Sequence, residues 1–396
     1  MKYCVLIIDG AAGWPIPERG GKTCLQLAHT PHLDCLAREG MVGLVRTVPQ
    51  GMEPSSACAC MSIMGYDPRV YYQGRSAIEA LSMGIPVEDG DALFRCNLVA
   101  VRDGRMWDYS TGHIESEDAH VLMEAIQEGL ASEEVQFYPG VSFRSICKIR
   151  GHPETLRATC SPPHDIAGEP IAEHLPRGEG SELLRHLMLR SQEVLEGHPL
   201  NAARQSRGQV PAAMIWLFWG SSKTAAVPSF RERFGVKAAM TSGVDLLGGL
   251  ARLSGMDMLD IAGVTDSLDN DYAAQMEGAL GALEEYDLVV VHVEATDEAG
   301  HAGSIEDKVA AIESVDREMV ARLLPWRGRA LRVVALPDHP TPIATKAHSA
   351  DPVPFVLWGP GVAASGATGF DESEAGGTAV FIEEGHTVMG RLIGGF

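Results

Sequence analysis

Paired cysteine motifs, long apolar runs and an excess of positive charge are all missing from this 396-residue sequence. Its eight cysteines (Cys4, Cys24, Cys35, Cys58, Cys60, Cys96, Cys147 and Cys160) form no CxxC pair and no zinc-ribbon spacing. That argues against a disulfide framework and predicts reduced thiols in a cytoplasmic protein. No apolar run approaches the ~20 residues a membrane span needs, and MKYCVLIIDGAAGW turns polar too early for a signal peptide. Lys and Arg total 32 against 53 Asp and Glu, for a formal net charge of −21. Nucleic acid is thereby excluded as a partner, and an anionic substrate needs a locally basic pocket. Internal repeats, low-complexity tracts and a Gly-rich nucleotide loop are absent as well. A homo-oligomer is left open.

What remains is the composition of a globular enzyme, 45% hydrophobic and 21% charged, long enough for two domains. Residues 288–293 (LVVVHV) are apolar and β-branched apart from His292, the pattern of a strand buried on both faces of a parallel sheet. Polar chemistry starts where the run stops, with Glu294, Asp297, Glu298 and His301. Two further runs end the same way: YCVLII at Asp9-Gly10 and LRVVALP at Asp338-His339. His348 lies just ahead of a fourth run, PFVLW. Parallel strands present their carboxyl ends on one edge, so three Asp and three His can meet there and hold two divalent metals. Each residue alone also reads as a turn or surface group, Asp9-Gly10 above all.

Residues 30–39, with Pro31 early, read as a helix. Ser55 and Ser56 precede a small-residue segment, 57–64, that reads as another helix, so a serine there is either an N-cap or a nucleophile facing free N–H groups. Between residues 74 and 235 the pattern changes to amphipathic helices (116–130 and 181–196) and Gly/Pro-rich loops. That stretch carries His113, Arg144, His164-Asp165, Arg204 and Arg207, a set suited to a phosphorylated organic acid if it is not merely surface ion pairs. A strand turning into a helix is expected over 236–256. Helical periodicity covers 304–324, and a C-terminal helix is expected over about 373–392.

The order Asp9-Gly10, Ser56 ahead of MGYDP, then DEAGH, DHPTP and AHSADPVP resembles the alkaline phosphatase superfamily. More narrowly it resembles the archaeal-type branch of cofactor-independent phosphoglycerate mutases, with GGKT, FRCNLV, PPHDI, PSFRERFG and EEGH in matching order. The resemblance implies an α/β fold with a doubly wound, mostly parallel sheet. A metal-binding domain (1–73 and 236–396) would carry an inserted α+β substrate lid (74–235). It implies one metal on Asp9, Ser56, Asp338 and His339 and a second on Asp297, His301 and His348, manganese first, with magnesium, cobalt or zinc as alternatives. Ser56 would be the nucleophile in interconverting 3- and 2-phosphoglycerate through phosphoserine, and Asp165 would move protons, assisted by His164. His113, Arg144, Arg204, Arg207 and Lys237 would bind substrate. Around the nucleophile Ala57 and Cys60 replace an acidic and an amide side chain of the family pattern, and GSSKTAAVPSF departs from the expected loop. DHPTP also resembles a subgroup proposed as homoserine kinases, an alternative with the same serine and metals.

Overall fold

The computed structural model describes residues 1–395. Its strands are β1 (Lys2–Ile8), β2 (Met41–Val45), β3 (Ala92–Arg102), β4 (Arg105–Asp108), β5 (Val135–Pro139), β6 (Arg144–Ile149) and β7 (Met214–Ser222), followed by β8 (Ala238–Thr241), β9 (Asp257–Met258), β10 (Leu288–Val293), β11 (Leu331–Leu336), β12 (Val353–Trp358) and β13 (Phe381–Ile382). The chain separates into two compact units. One is Met1–Tyr72 together with everything from Ala226 onward, and the other is Gln73–Ala225.

The first unit is built on an eight-stranded sheet in the order β13-β2-β12-β11-β1-β10-β8-β9. β1 lies parallel to both β10 and β11, with Tyr3 level with Leu288 and Arg332. β10 is buried along its whole length, which explains why it lacks the alternation of a half-exposed strand. The mostly parallel α/β architecture is the one expected from the sequence, with one informative exception. β12 runs antiparallel to β11 and to β2. Its amino end therefore lies beside the carboxyl ends of β11 and β2, and the segment leading into it reaches the same edge.

Helix Pro31–Glu39 forms where expected, with Thr30 before its proline. The region after Ser304 is helical but irregular, with Ile305–Ser314 passing into a π turn at Val315–Val320. The single C-terminal helix expected over 373–392 does not form. Helix Glu372–Gly377 stops at its glycine pair, β13 pairs parallel with the free edge of β2, and a new helix runs over Val388–Gly394. The open backbone groups of β2 capture this short segment, through Leu44 N donating to Val380 O and Arg46 N to Ile382 O.

The second unit holds the antiparallel path β4-β3-β6-β5, with β7 on the other side of β3. Phe94, Cys96 and Leu98 of β3 pack with Leu122, Leu184 and Met188 of helices Ser116–Leu130 and Ser181–Glu196. Leu93 and Ile146 pack with Ala77 and Ala80 of helix Arg75–Ser82. The unit ends earlier than the insert read from sequence. Residues 226–235 belong to the first unit, where Phe230 is buried and Tyr66 Oη donates to Pro228 O at 2.9 Å. Among the described residues no helix is long and apolar enough to cross a membrane.

Candidate active site

Asp9 follows β1, Glu294 follows β10, and Asp338-His339 follow β11, so the parallel register alone delivers them to one edge. Asp297 and His301 stand one turn apart on helix Ala295–Ala302, the i,i+4 spacing that puts both on one face. The antiparallel course of β12 supplies His348. Gly10 has φ +62°, and a Cβ on it would lie 2.4 Å from Asp297 Oδ1, so only glycine lets β1 end this close to the helix.

The donors fall into adjoining groups. His301 Nε2 is 3.0 Å from Asp297 Oδ2, and His348 Nε2 is 3.6 Å from the same oxygen. His339 Nε2 is 3.2 Å from Asp338 Oδ2 and 3.6 Å from Asp9 Oδ1. Asp297–His301–His348 and Asp9–Asp338–His339 each have ligand atoms within 4.8 Å of one another. A third group joins Asp9 to His292 and Glu294, with His292 Nε2 at 2.7 Å from Asp9 Oδ2. Reading the sequence did not find His292 as a site residue. Its one signal was a polar ring inside an apolar strand.

Neighbouring groups orient these ligands. His301 Nδ1 faces Lys346 O at 2.9 Å, which as an N–H donor leaves Nε2 for the site. Thr341 Oγ1 donates to Asp297, Thr296 Oγ1 to the Asp9 carbonyl and Thr47 Oγ1 to the Asp338 carbonyl. Gly10 N donates to Asp338 Oδ1 at 3.0 Å. Lys308 is fully buried and ties two loops together through Ala12 O (3.1 Å) and Thr341 O (2.7 Å).

Burial, reinforced by Asp338 and Asp297, pushes the Asp9 carboxyl well above its usual range, and burial with Asp9 and Asp297 does the same to Glu294. Burial also opposes ionisation of Asp297, but hydrogen bonds from His301 and His348 outweigh it and hold that carboxyl well below. The hydrogen bond to Asp297 lifts His301 to about 9, while burial pushes His339 down. Asp9 Oδ1 and Glu294 Oε2 are buried without a hydrogen-bond partner. Crowded carboxylates with unsatisfied buried oxygens are what divalent cations relieve, and the O/N donor set without thiolate fits them. Cys60 Sγ sits 3.7 Å from Asp338 Oδ2 as a weak, neutral donor, because burial raises its thiol well above the usual range.

The two adjacent serines divide the roles that the sequence left open. Ser55 is the N-cap, its Oγ accepting from Cys58 N at 3.3 Å. Ser56 opens helix Ser56–Ile63 and is the one residue of that helix not buried; its Oγ is 3.2 Å from His339 Nε2.

In the second unit an aromatic floor gathers several expected residues. His113 and Arg144 flank Phe143, the ring of His113 6.0 Å away and the guanidinium of Arg144 4.8 Å away. Tyr109 lies edge-on to Phe143 and to His164, whose ring also meets Trp219 at 5.5 Å. Asp165 is beside it, Oδ1 3.7 Å from His164 Nε2. His113 ends a run of three left-handed residues, Thr111, Gly112 and His113. Such a turn is strained for non-glycine residues and persists because Ser110 Oγ, Leu98 O and Arg204 hold it.

Three of the expected substrate contacts are engaged by the protein's own groups. Lys237 precedes β8 at the level of Asp287, about 20 Å of strand from the polar edge, and pairs with Glu285 at 2.5 Å. The Arg204 side chain is buried against Asp118 (2.6 Å), Val210 O and Thr111 O, so it braces the His113 turn. Arg207 turns back to Ala203 O on its own helix. Arg204→Ala is accordingly expected to lower stability by about 3 kcal/mol, by stranding Asp118 and two carbonyls. Denaturant unfolding checks this, and a fully stable variant with weakened substrate binding would return Arg204 to the binding surface.

A profile of the 2,3-bisphosphoglycerate-independent phosphoglycerate mutases matches residues 37–201. Over the full length of both chains the sequence is 46% identical to an enzyme of that name from Methanothrix thermoacetophila. It is 44% identical, over 99% of this chain and 100% of the relative, to a probable one from Geobacter sulfurreducens. Among solved structures, a protein from Pyrococcus horikoshii aligns with TM-score 0.83 and 28% identity, covering 99% of this chain and 96% of that one. The cofactor-independent phosphoglycerate mutase of Thermoplasma acidophilum aligns with TM-score 0.65 and 28% identity over 100% and 99%. On the strength of full-length relatives at this identity, the chain belongs to the 2,3-bisphosphoglycerate-independent phosphoglycerate mutase family.

Proposed function

We propose that Ser56 carries the phosphoryl group while this enzyme interconverts 3-phosphoglycerate and 2-phosphoglycerate. One observation carries the reading. Ser56 Oγ is 3.2 Å from His339 Nε2, at the mouth of a helix and beside the clustered donors. Ser56 Oγ would attack phosphorus in line, the substrate oxygen leaving as a hydroxyl. The phosphoserine so formed sits at the positive end of helix Ser56–Ile63. The glycerate then turns, and its other hydroxyl takes the phosphoryl group back, so two displacements replace one strained internal transfer.

Two divalent cations, one held by Asp9, Ser56, Asp338 and His339 and one by Asp297, His301 and His348, would neutralise phosphate charge and lower the serine's pKa, with manganese the proposed ion. His113, Arg144 and His164 would hold the substrate. Asp165, exposed and beside His164, would shuttle the proton between the two hydroxyls. A cytoplasmic location goes with this reading.

The test is manganese-loaded protein supplied with 3-phosphoglycerate, without bisphosphoglycerate, beside a second tube of homoserine and ATP. Formation of 2-phosphoglycerate is expected in the first. Turnover confined to the second would replace the mutase reading by the kinase one.

A further inference from the structure

His292 is the one polar residue of β10, a strand buried along its whole length, and its ring is buried with the rest. A histidine is costly there unless both ring nitrogens find partners. Both do. Ser242, directly after β8, places its Oγ 3.0 Å from Nδ1, and Asp9 Oδ2 lies 2.7 Å from Nε2. Val244 N donates to Ser242 Oγ at 3.0 Å, so the serine's own proton is the one that turns to Nδ1. That leaves the ring N–H on Nε2, donating to Asp9. The main chain is held as well. Buried Gln275 donates to His292 O at 2.9 Å and is itself fixed by Asn270 Nδ2 at 2.9 Å.

Asp9, His292 and Glu294 also have ligand atoms within 4.8 Å of one another, so the ring has two possible roles, holding a third ion or holding Asp9. The distances decide between them. An ion about 2.1 Å from two ligands at right angles keeps those ligands about 3 Å apart. In the two sites proposed above, imidazole nitrogen and carboxylate oxygen stand at 3.0 and 3.6 Å in one and at 3.2 and 3.6 Å in the other. His292 Nε2 and Asp9 Oδ2, at 2.7 Å, are at the length of a charge-assisted hydrogen bond. A proton fits between them and a divalent cation does not.

The consequence falls on the other oxygen of the same carboxylate. Asp9 Oδ1 is buried without a hydrogen-bond partner, 3.6 Å from His339 Nε2. A donor fixed on Oδ2 stops the carboxylate from rotating and keeps Oδ1 aimed at that neighbour. Thr296 Oγ1 donates to the Asp9 carbonyl, so the main chain of Asp9 is pinned by one residue and its side chain by another.

We propose that His292 is a positioning residue. With Ser242 behind it, it locks the Asp9 carboxylate so that Oδ1 is presented to the cation shared with Asp338 and His339, and the protein takes two ions rather than three. This rests on the two-cation part of the reading above and is independent of which substrate the enzyme turns over.

The test titrates manganese into chelator-stripped full-length protein by calorimetry and counts the metal retained. The parent should bind two ions per chain. His292→Gln sets an amide N–H near the place of Nε2, whereas His292→Asn reaches only toward Ser242. The asparagine variant should bind one of its two ions about 10–100-fold more weakly, and glutamine should restore most of that loss. A His301→Ala background, which leaves the Asp9 site to be read alone, should keep the whole drop, and a His339→Ala background should show none. Ser242→Ala keeps the ring but frees its tautomer; it should weaken the same site severalfold, and it carries the test if His292→Asn does not fold. Unchanged affinity in these variants, or equal losses with glutamine and asparagine, overturns the role of His292 while leaving the two-cation reading intact. Three ions in the parent, falling to two in both His292 variants, makes the ring a ligand and overturns it as well. A parent that binds no manganese sinks the two-cation reading and this proposal with it.

Discussion

Ser56→Ala is expected to lower kcat at least about 10³-fold, since loss of the attacking group removes the covalent route itself rather than one of its supports. The fold should not notice. Ser56 is the first helical residue and is not buried, alanine is the best helix former, and the cap belongs to Ser55. Stability should therefore stay within about 0.5 kcal/mol of the parent. Ser55→Ala should show the opposite signature, losing about 1 kcal/mol with the cap while retaining the nucleophile. Incubation with 3-phosphoglycerate, acid quench and intact mass should find a phosphorylated parent and Ser55→Ala protein but an unmodified Ser56→Ala protein. Undiminished turnover in Ser56→Ala would remove Ser56 from the chemistry.

That contrast could be drawn only once the backbone was known, because two neighbouring serines look alike in sequence and only their φ/ψ and hydrogen bonds separate them. Strand ends were far more legible. Runs such as LVVVHV and LRVVAL are apolar without alternation because both faces are covered, so the first acidic residue after each marks where the sheet stops. His348 differs from the other candidates in lying ahead of a strand run rather than after one. Its place at the edge depends on β12 running antiparallel, which no local periodicity encodes. The C-terminal segment was misread for a related reason, since β13 exists only through pairing with the distant edge of β2. Arginines are the hardest to read. In sequence Arg204 looks like a fork for an anion, and only the carbonyls of Val210 and Thr111 around its guanidinium show that it braces a turn.

Chelation is expected to abolish activity and to change how stability responds to pH. Without cations the buried edge holds Asp9 and Glu294 with carboxyls pushed up by burial and by each other's neighbours, and His301 raised to about 9 by Asp297. A group whose folded pKa lies above its unfolded value contributes stability below the unfolded value and loses it as pH climbs through the folded one. For His301 that window runs from the ordinary imidazole value of 6.5 to about 9, and the raised carboxyls lose stability in the same direction. Asp297, held low, acts only in acid, where its contribution is lost as pH falls below 3.8. The melting temperature of chelated protein should thus fall between pH 6.5 and 9. Manganese should reverse the trend, because it competes with protons for these same atoms and binds better as they leave. At a hundredfold excess over its dissociation constant it adds about 2.7 kcal/mol per site. Scanning calorimetry across that pH range, with chelator and then with manganese, reads both slopes. A chelated protein that keeps its activity and shows no fall in melting temperature would mean that the carboxylates at this edge are held apart by something other than metal.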